Sequence, residues 1–393
     1  MKKYFVIAAA AALALASCAK VETYTESLND GQQAIGFSNY APKTLSRADG
    51  TLIVDNKLAN GKKFGVYAYS TENGTDFATT GVGSTATLFM NGVSVTYTTG
   101  GDTDATKNTY APVRYWPAGD TPDWLTFWAY YPVEETSGKV TAGSNGITYT
   151  APTGSNNLGS YAFTANSTAA TMVDFIVSDV VNDKIYGTAT GEHIAVNGVV
   201  PLVFRHMLTK VQVKFKTSDE VDDDANTQVF LTDAKFVDVK TTGTLDASYN
   251  KAATPNVTTT WKDQGTPANY EIFVNTKDVN DGANKVELHK TVTTVDDSEI
   301  FLMVPQTMIE KTGSKPQILR VNWDVVTDGV TTSNTADLYL DECVKDDGTT
   351  QANIDWVKNH SVTYTLTIGP KPIRFTATVA AWEAEDAGYF NVR

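Results

Sequence analysis

The stretches "VTYTLTI" (362–368) and "IRFTATVA" (373–380) decide the fold. Val362, Tyr364, Leu366 and Ile368 share one face of the first, and Ile373, Phe375, Ala377 and Val379 share one face of the second. The intervening positions are mostly Thr, Ser and Arg. A period of two is the signature of a half-buried strand, because successive side chains point to opposite faces. The same alternation recurs in "FGVYAYS" (64–70), "KVQVKFK" (210–216), "RVNWDVV" (320–326) and "ADLYLDE" (336–342), while "MVDFIVS" (172–178) reads as a buried strand. In "TLFMNGVSVTYT" (87–98), Asn91-Gly92 between two apolar runs predicts a hairpin. Helical periodicity is scarce, so the expectation is an all-β protein made of β-sandwiches.

A chain of 393 residues exceeds what one hydrophobic core usually serves. Two sandwiches in tandem are expected, 48–197 and 198–393, divided near Asn197-Gly198. Segments 99–109, 151–171, 217–227 and 241–260 are rich in Gly, Ser, Thr, Asn and Asp and read as surface loops.

Residues 1–17 have another character. "MKK" is a positive n-region, and the apolar run after it is too short to span a bilayer comfortably, which is the form of a signal peptide. Leu15-Ala16-Ser17-Cys18 resembles the bacterial lipobox, which implies cleavage before Cys18 and acylation there. Two or three acyl chains, at about 0.8 kcal/mol per buried methylene, would hold the product to a membrane. Residues 18–47 then form a lipidated propeptide.

Cys343 is the only other cysteine, so no disulfide forms within the processed chain. Losing Lys2 and Lys3 leaves 29 basic against 45 acidic residues, a formal charge of −16. That acidity argues against nucleic acid as a partner.

Catalytic chemistry finds no constellation. His193, His206, His289 and His360 lack metal-ligand spacing, and no Ser or Cys sits in a nucleophile motif. His206 shares parity with Leu202, Phe204 and Leu208 and is expected to point inward. Cys343 reads as an inert buried thiol. The acidic run 219–224 lacks the ligand alternation and glycine of a calcium loop and reads as a solvated charge run. No enzyme, metal or cofactor is expected. The stretch "YAPVRYWPAGDTPDWLTFWAYYP" (110–132) carries eight aromatic rings. Core packing is the preferred reading, since each ring buries a large area. A glycan-binding surface of Trp116, Trp124 and Trp128 on a monomeric lipoprotein is the alternative.

The lipobox, "QAIGFSNY" (33–40), "RYWP" (114–117), "FWAYYP" (127–132), "LVFRHMLTKVQVKF" (202–215), "LMVPQ" (302–306), Trp356 with "YTLTI" (364–368), and "IRFTATVAAW" (373–382) follow in that order. Together they resemble the fimbrillin family, the lipoprotein-precursor pilins of the type V pili of gut and oral anaerobes. The resemblance implies two transthyretin-like Greek-key sandwiches and export to the outer membrane and cell surface. It also implies cleavage by an arginine-specific protease in the loop after the first strand. Ile35 and Phe37 lie on one face of that strand, and Arg47-Ala48 follows in a stretch with turn residues. Arg114, Arg205, Arg320 and Arg374 fall in or beside strand patterns, which leaves Arg47 as the expected cut. Loss of 33–40 then opens a groove that another copy fills by β-augmentation. The candidate donors are 373–381, anchored by Ile373, Phe375, Ala377 and Val379, and the tail "GYFNV" (388–392). The expected function is that of a pilus subunit in adhesion or colonisation.

Overall fold

Period-two alternation and strand coincide in the computed structural model, which describes residues 32–40, 58, 60–80, 85–101, 105–136, 139–141, 147–152, 157–165, 172–274, 286–291, 300–343, 354–369 and 374–381. Of the described residues, 58% are strand and 4% helix, as the all-β expectation requires. Cys18, Arg47, Ala48, Ile373 and the tail 388–392 lie outside the described residues.

Sheet 1 holds β1 (Gly36–Tyr40), β2 (Lys63–Thr71), β3 (Thr87–Thr96), β4 (Trp124–Tyr131), β9 (Ile176–Ser178), β10 (Val181–Gly187), β11 (Ile194–Val196) and β12 (Val199–His206). Its order is β1-β12-β9-β4, with β10 and β11 continuing beside β4, and β2 then β3 on the other edge of β4. Sheet 2 runs β16 (Val257–Lys262), β15 (Thr242–Tyr249), β8 (Asn157–Thr164), β7 (Ile147–Thr150). Sheet 3 runs β19 (Phe301–Met303), β13 (Thr209–Thr217), β22 (His360–Ile368), β23 (Arg374–Ala381). In sheet 4, β14 (Thr227–Val239) has β17 (Ala268–Val274) and β18 (Val286–Leu288) on one edge. On its other edge lie β20 (Ile318–Thr327) and then β21 (Val330–Tyr339). A short ribbon pairs β5 (Glu134–Thr136) with β6 (Lys139–Thr141).

Alternation gives sheet 1 two buried faces. One carries Phe37, Phe64, Val66, Phe127, Leu202 and Phe204 in a core of their own. The other turns Tyr67, Tyr69, Trp128 and Tyr130 toward Tyr161 and Phe163 of sheet 2. Trp128 stacks on Tyr67 at 5.9 Å and on Tyr69 at 5.6 Å, the latter pair only 3° from parallel. Sheets 3 and 4 sandwich Val213, Phe215, Phe236, Leu319, Trp356 and Tyr364. There the Trp356 indole donates to the Tyr364 hydroxyl at 2.9 Å, so a buried polar pair is satisfied internally.

Three expectations need correction. Segments 151–171 and 241–260 are not simply surface loops, because they contain β8, β15 and β16 and so most of sheet 2. Their apolar positions are few, but Tyr161 and Phe163, and Leu245, Ala247 and Tyr249, recur at period two and are buried. Asn91-Gly92 does not close a hairpin. The two residues oppose Tyr67 alone, since Val66 pairs with Val93 and Ala68 with Met90, and Gly92 takes φ +60°. That is a bulge within a continuous β3, a second use of the same dipeptide.

Asn197-Gly198, with φ +55° and +75°, is the turn joining β11 to β12 inside sheet 1, not a boundary. The chain leaves sheet 1 between His206 and Thr209, where β13 begins sheet 3. Sheet 2 takes two strands from each side of 197/198, and Gln33–Arg393 cluster as one unit.

Replacing Trp128 with Ala should therefore cost about 3–5 kcal/mol in urea unfolding, because the cavity opens between two sheets. A loss below about 1 kcal/mol would show that the stack is not what joins them.

Candidate assembly site: the seat of the first strand

Ile35 and Phe37 alternate with Gly36 and Ser38, and the strand buries the two apolar side chains to 2% and 0% exposure. β1 runs parallel to β12 in the register Gly36–Val199 to Tyr40–Val203. Phe37 meets the Phe127 ring at 6.1 Å and the Tyr110 ring at 5.5 Å, both edge-on. Such contacts suit aromatic quadrupoles and add to the burial term.

The other side of β1 is covered as well. Ile35 N donates to Arg114 O at 2.9 Å, and Trp116 N donates to Gln33 O at 3.0 Å, an antiparallel bridge centred on Ala34 and Tyr115. The Tyr110 hydroxyl donates to Ile35 O at 2.8 Å, and Asn108 Nδ2 donates to Phe37 O at 2.9 Å. Burial pushes the Tyr110 phenol up to about 12, so it remains a donor at physiological pH. Asn108 is fixed in turn by Thr98 N on its Oδ1 and by Gly101 O on its amide. A Cβ at Gly101 would fall 2.0 Å from Asn108 Oδ1, so only glycine allows this approach. Thr96 and Thr109 tie the covering segment to β3. At the start of the strand, Gly198 O accepts from both Gly36 N and the Trp116 indole, each at 3.0 Å.

β1 thus lies in a slot, with β12 on one side and residues 108–116 on the other. Burying Ile35 and Phe37 contributes about 1.5–3 kcal/mol each, and each backbone bond about 1 kcal/mol net. Of the expected strand 33–40, Gly36–Tyr40 form β1 and Ala34 is in an isolated bridge. The role of Asn108 had no sequence signal, since it stands in a Gly- and Thr-rich stretch.

The remaining residues fall as follows. Trp116 and Trp128 are 2% and 0% exposed, so they cannot stack on a sugar, and the proposed aromatic surface is corrected accordingly. Trp124 is half-buried and stacks on His193 at 4.2 Å. His206 points inward and lies 2.6 Å from Asp174, both side chains fully buried. Cys343 is buried, which pushes its thiol well above the usual range. Segment 219–224 includes a short helix, Asp219–Asp222, and Asp224 closes a turn onto Asn226 N. Among the described residues no His, Cys, Asp and Glu side chains cluster as a metal site.

The 373–381 donor candidate is β23, an edge strand antiparallel to β22. Ala377 is buried there, Val379 packs on the core, and the Phe375 backbone pairs with Leu366.

The arginines share one pattern. Arg205 and Arg320 lie within strands and form bidentate pairs with Asp179 and Asp337. The Arg374 backbone is in β23, and Arg114 O is held by β1.

A family model described as fimbrillin-like matches residues 46–382. The chain belongs to the fimbrillin-like family. The fold is similar to that of a fimbrial protein from Bacteroides vulgatus, with a TM-score of 0.59 at 18% identity over 89% of this chain and 99% of that one. The tip fimbrial protein Mfa3 from Porphyromonas gingivalis aligns at TM-score 0.34 and 10% identity, covering 88% of this chain and 99% of that one. No curated protein matches by sequence. The fimbrillin-like family is one of fimbrial structural proteins rather than of enzymes.

The seat should fail locally when its anchor is cut back. Phe37→Ala removes a fully buried ring, worth about 3–5 kcal/mol, and should speed amide exchange along β12 and residues 114–116 while leaving sheets 3 and 4 protected. Unchanged exchange would mean that the ring does not hold β1.

Proposed function

We propose that this fimbrillin-like chain is a fimbrial subunit exported as a lipoprotein precursor and lipidated at Cys18. An arginine-specific protease cuts between Arg47 and Ala48, and the chain then polymerises by strand exchange. The observation that carries this reading is the slot around β1. The strand is short, ends at Tyr40, and is followed within seven residues by Arg47. Cutting there frees the strand from the body, so only its noncovalent contacts retain it.

An emptied slot exposes the backbone edge of β12 and an apolar pocket, both unfavourable in water. A strand from the C-terminal segment of a second copy, 373–381 or 388–392, meets the same needs by adding to β12. Donation from 373–381 requires β23 to leave β22, whereas donation from the tail leaves sheet 3 intact. Repeating the contact head to tail gives an open filament, because a heterologous interface need not close on itself. Partners are then other copies or related pilins, the protease, and the outer membrane before processing.

Residues 19–393 treated with an Arg-specific protease should give a ladder on an unboiled gel. Arg47→Ala should abolish it. Deleting 382–393 should abolish it if the tail donates; loss only on deleting 371–393 identifies β23. A cleaved chain that stays monomeric under assembly conditions overturns the proposal.

A further inference from the structure

We infer that the Arg114–Tyr115 bond is a second, conditional cleavage site, shielded while a strand fills the slot and open to an Arg-specific endopeptidase when the slot is empty. This rests on the reading that β1 is released after cleavage at Arg47.

The segment around it lies on the surface. Val113 is 46% exposed and Tyr115 41%, and Pro112 and Pro117 bracket the bond. Two of the backbone contacts at this bond run to the strand in the slot, Arg114 O from Ile35 N and Trp116 N to Gln33 O. Arg114 N donates to the Tyr110 hydroxyl, which itself holds Ile35 O. Departure of β1 frees the first two together and loosens the third.

Endopeptidases bind substrate as an added strand, so the groups that pair with β1 are those a protease needs. Arg205 and Arg320 differ in that each lies within a sheet strand, its backbone paired to neighbouring strands, and its side chain is paired with an aspartate. Arg114 itself is half-buried, and its Nε is buried without a hydrogen-bond partner among the described residues, so no ion pair has to break for the side chain to turn outward once the slot empties. In the cleavage, water adds across the amide, leaving a carboxylate on Arg114 and an amine on Tyr115. A subunit that has lost its own strand and gained no other would be destroyed, while a filled one survives.

The test follows residues 19–393 with an Arg-specific endopeptidase by mass spectrometry over time. Cleavage at Arg47 should come first, and cleavage at Arg114 should track departure of the 19–47 peptide. In Arg47→Lys, cleavage at Arg114 should slow at least about tenfold, as the loss of paired backbone bonds implies. Arg114→Lys should remove the second cut and leave the first. An excess of peptide 33–47 should suppress the second cut in the nicked chain.

If peptide 19–47 remains seated, Phe37→Ala should release it and bring on the second cut. Equal rates at Arg114 in Arg47→Lys overturn the inference, as does an intact bond after the peptide has left. Cutting in the expected order without any ladder would sink the assembly reading and leave this one standing. A ladder whose empty subunits resist at Arg114 would sink this one alone.

Discussion

The Phe37 ring, buried beside Phe127 and Tyr110, is the contact on which the N-terminal part of the protein depends. A five-residue strand has little to hold it except its alternate side chains and its hydrogen bonds. β1 has backbone partners on both sides and side-chain donors on two of its carbonyls, so the usual weakness of an edge strand is removed. The same arrangement makes the slot chemically undemanding. Asn108, Tyr110 and β12 address backbone atoms, and only the two pockets for Ile35 and Phe37 read side chains.

The slot is held by a firm body. Sheet 2 is built from β7 and β8 together with β15 and β16, so the earlier and later parts of the chain share one hydrogen-bonded layer. The stack of Trp128 with Tyr67 and Tyr69 presses sheet 1 onto it. Removing β1 therefore disturbs one edge without dividing the rest.

Much of this is legible in the sequence, and the exceptions have common causes. Strong alternation at 64–70, 210–216, 320–326 and 362–368 reads correctly because the apolar face is dense there. β8, β15 and β16 hide behind Thr, Ser and Gly, where tertiary packing overrides a loop-like composition. Asn-Gly is ambiguous in principle: left-handed glycine serves a hairpin, a bulge or a turn between consecutive strands that do not pair, and the last two occur here. At the site, Ile35 and Phe37 declare themselves by spacing. Asn108 does not, since its role comes from meeting a strand 71 positions earlier in the chain.

The pairing of Gly36 with Val199 spans 163 positions, and in parallel. No local hairpin can bring these strands together, so β1, the first strand among the described residues, lacks its parallel partner until β12 has been made and placed. Contacts of such long sequence separation form late, because the intervening loop must close before they are rewarded. Until then the slot stands open, and the chain that joins β1 to the body keeps β1 at high local concentration beside it.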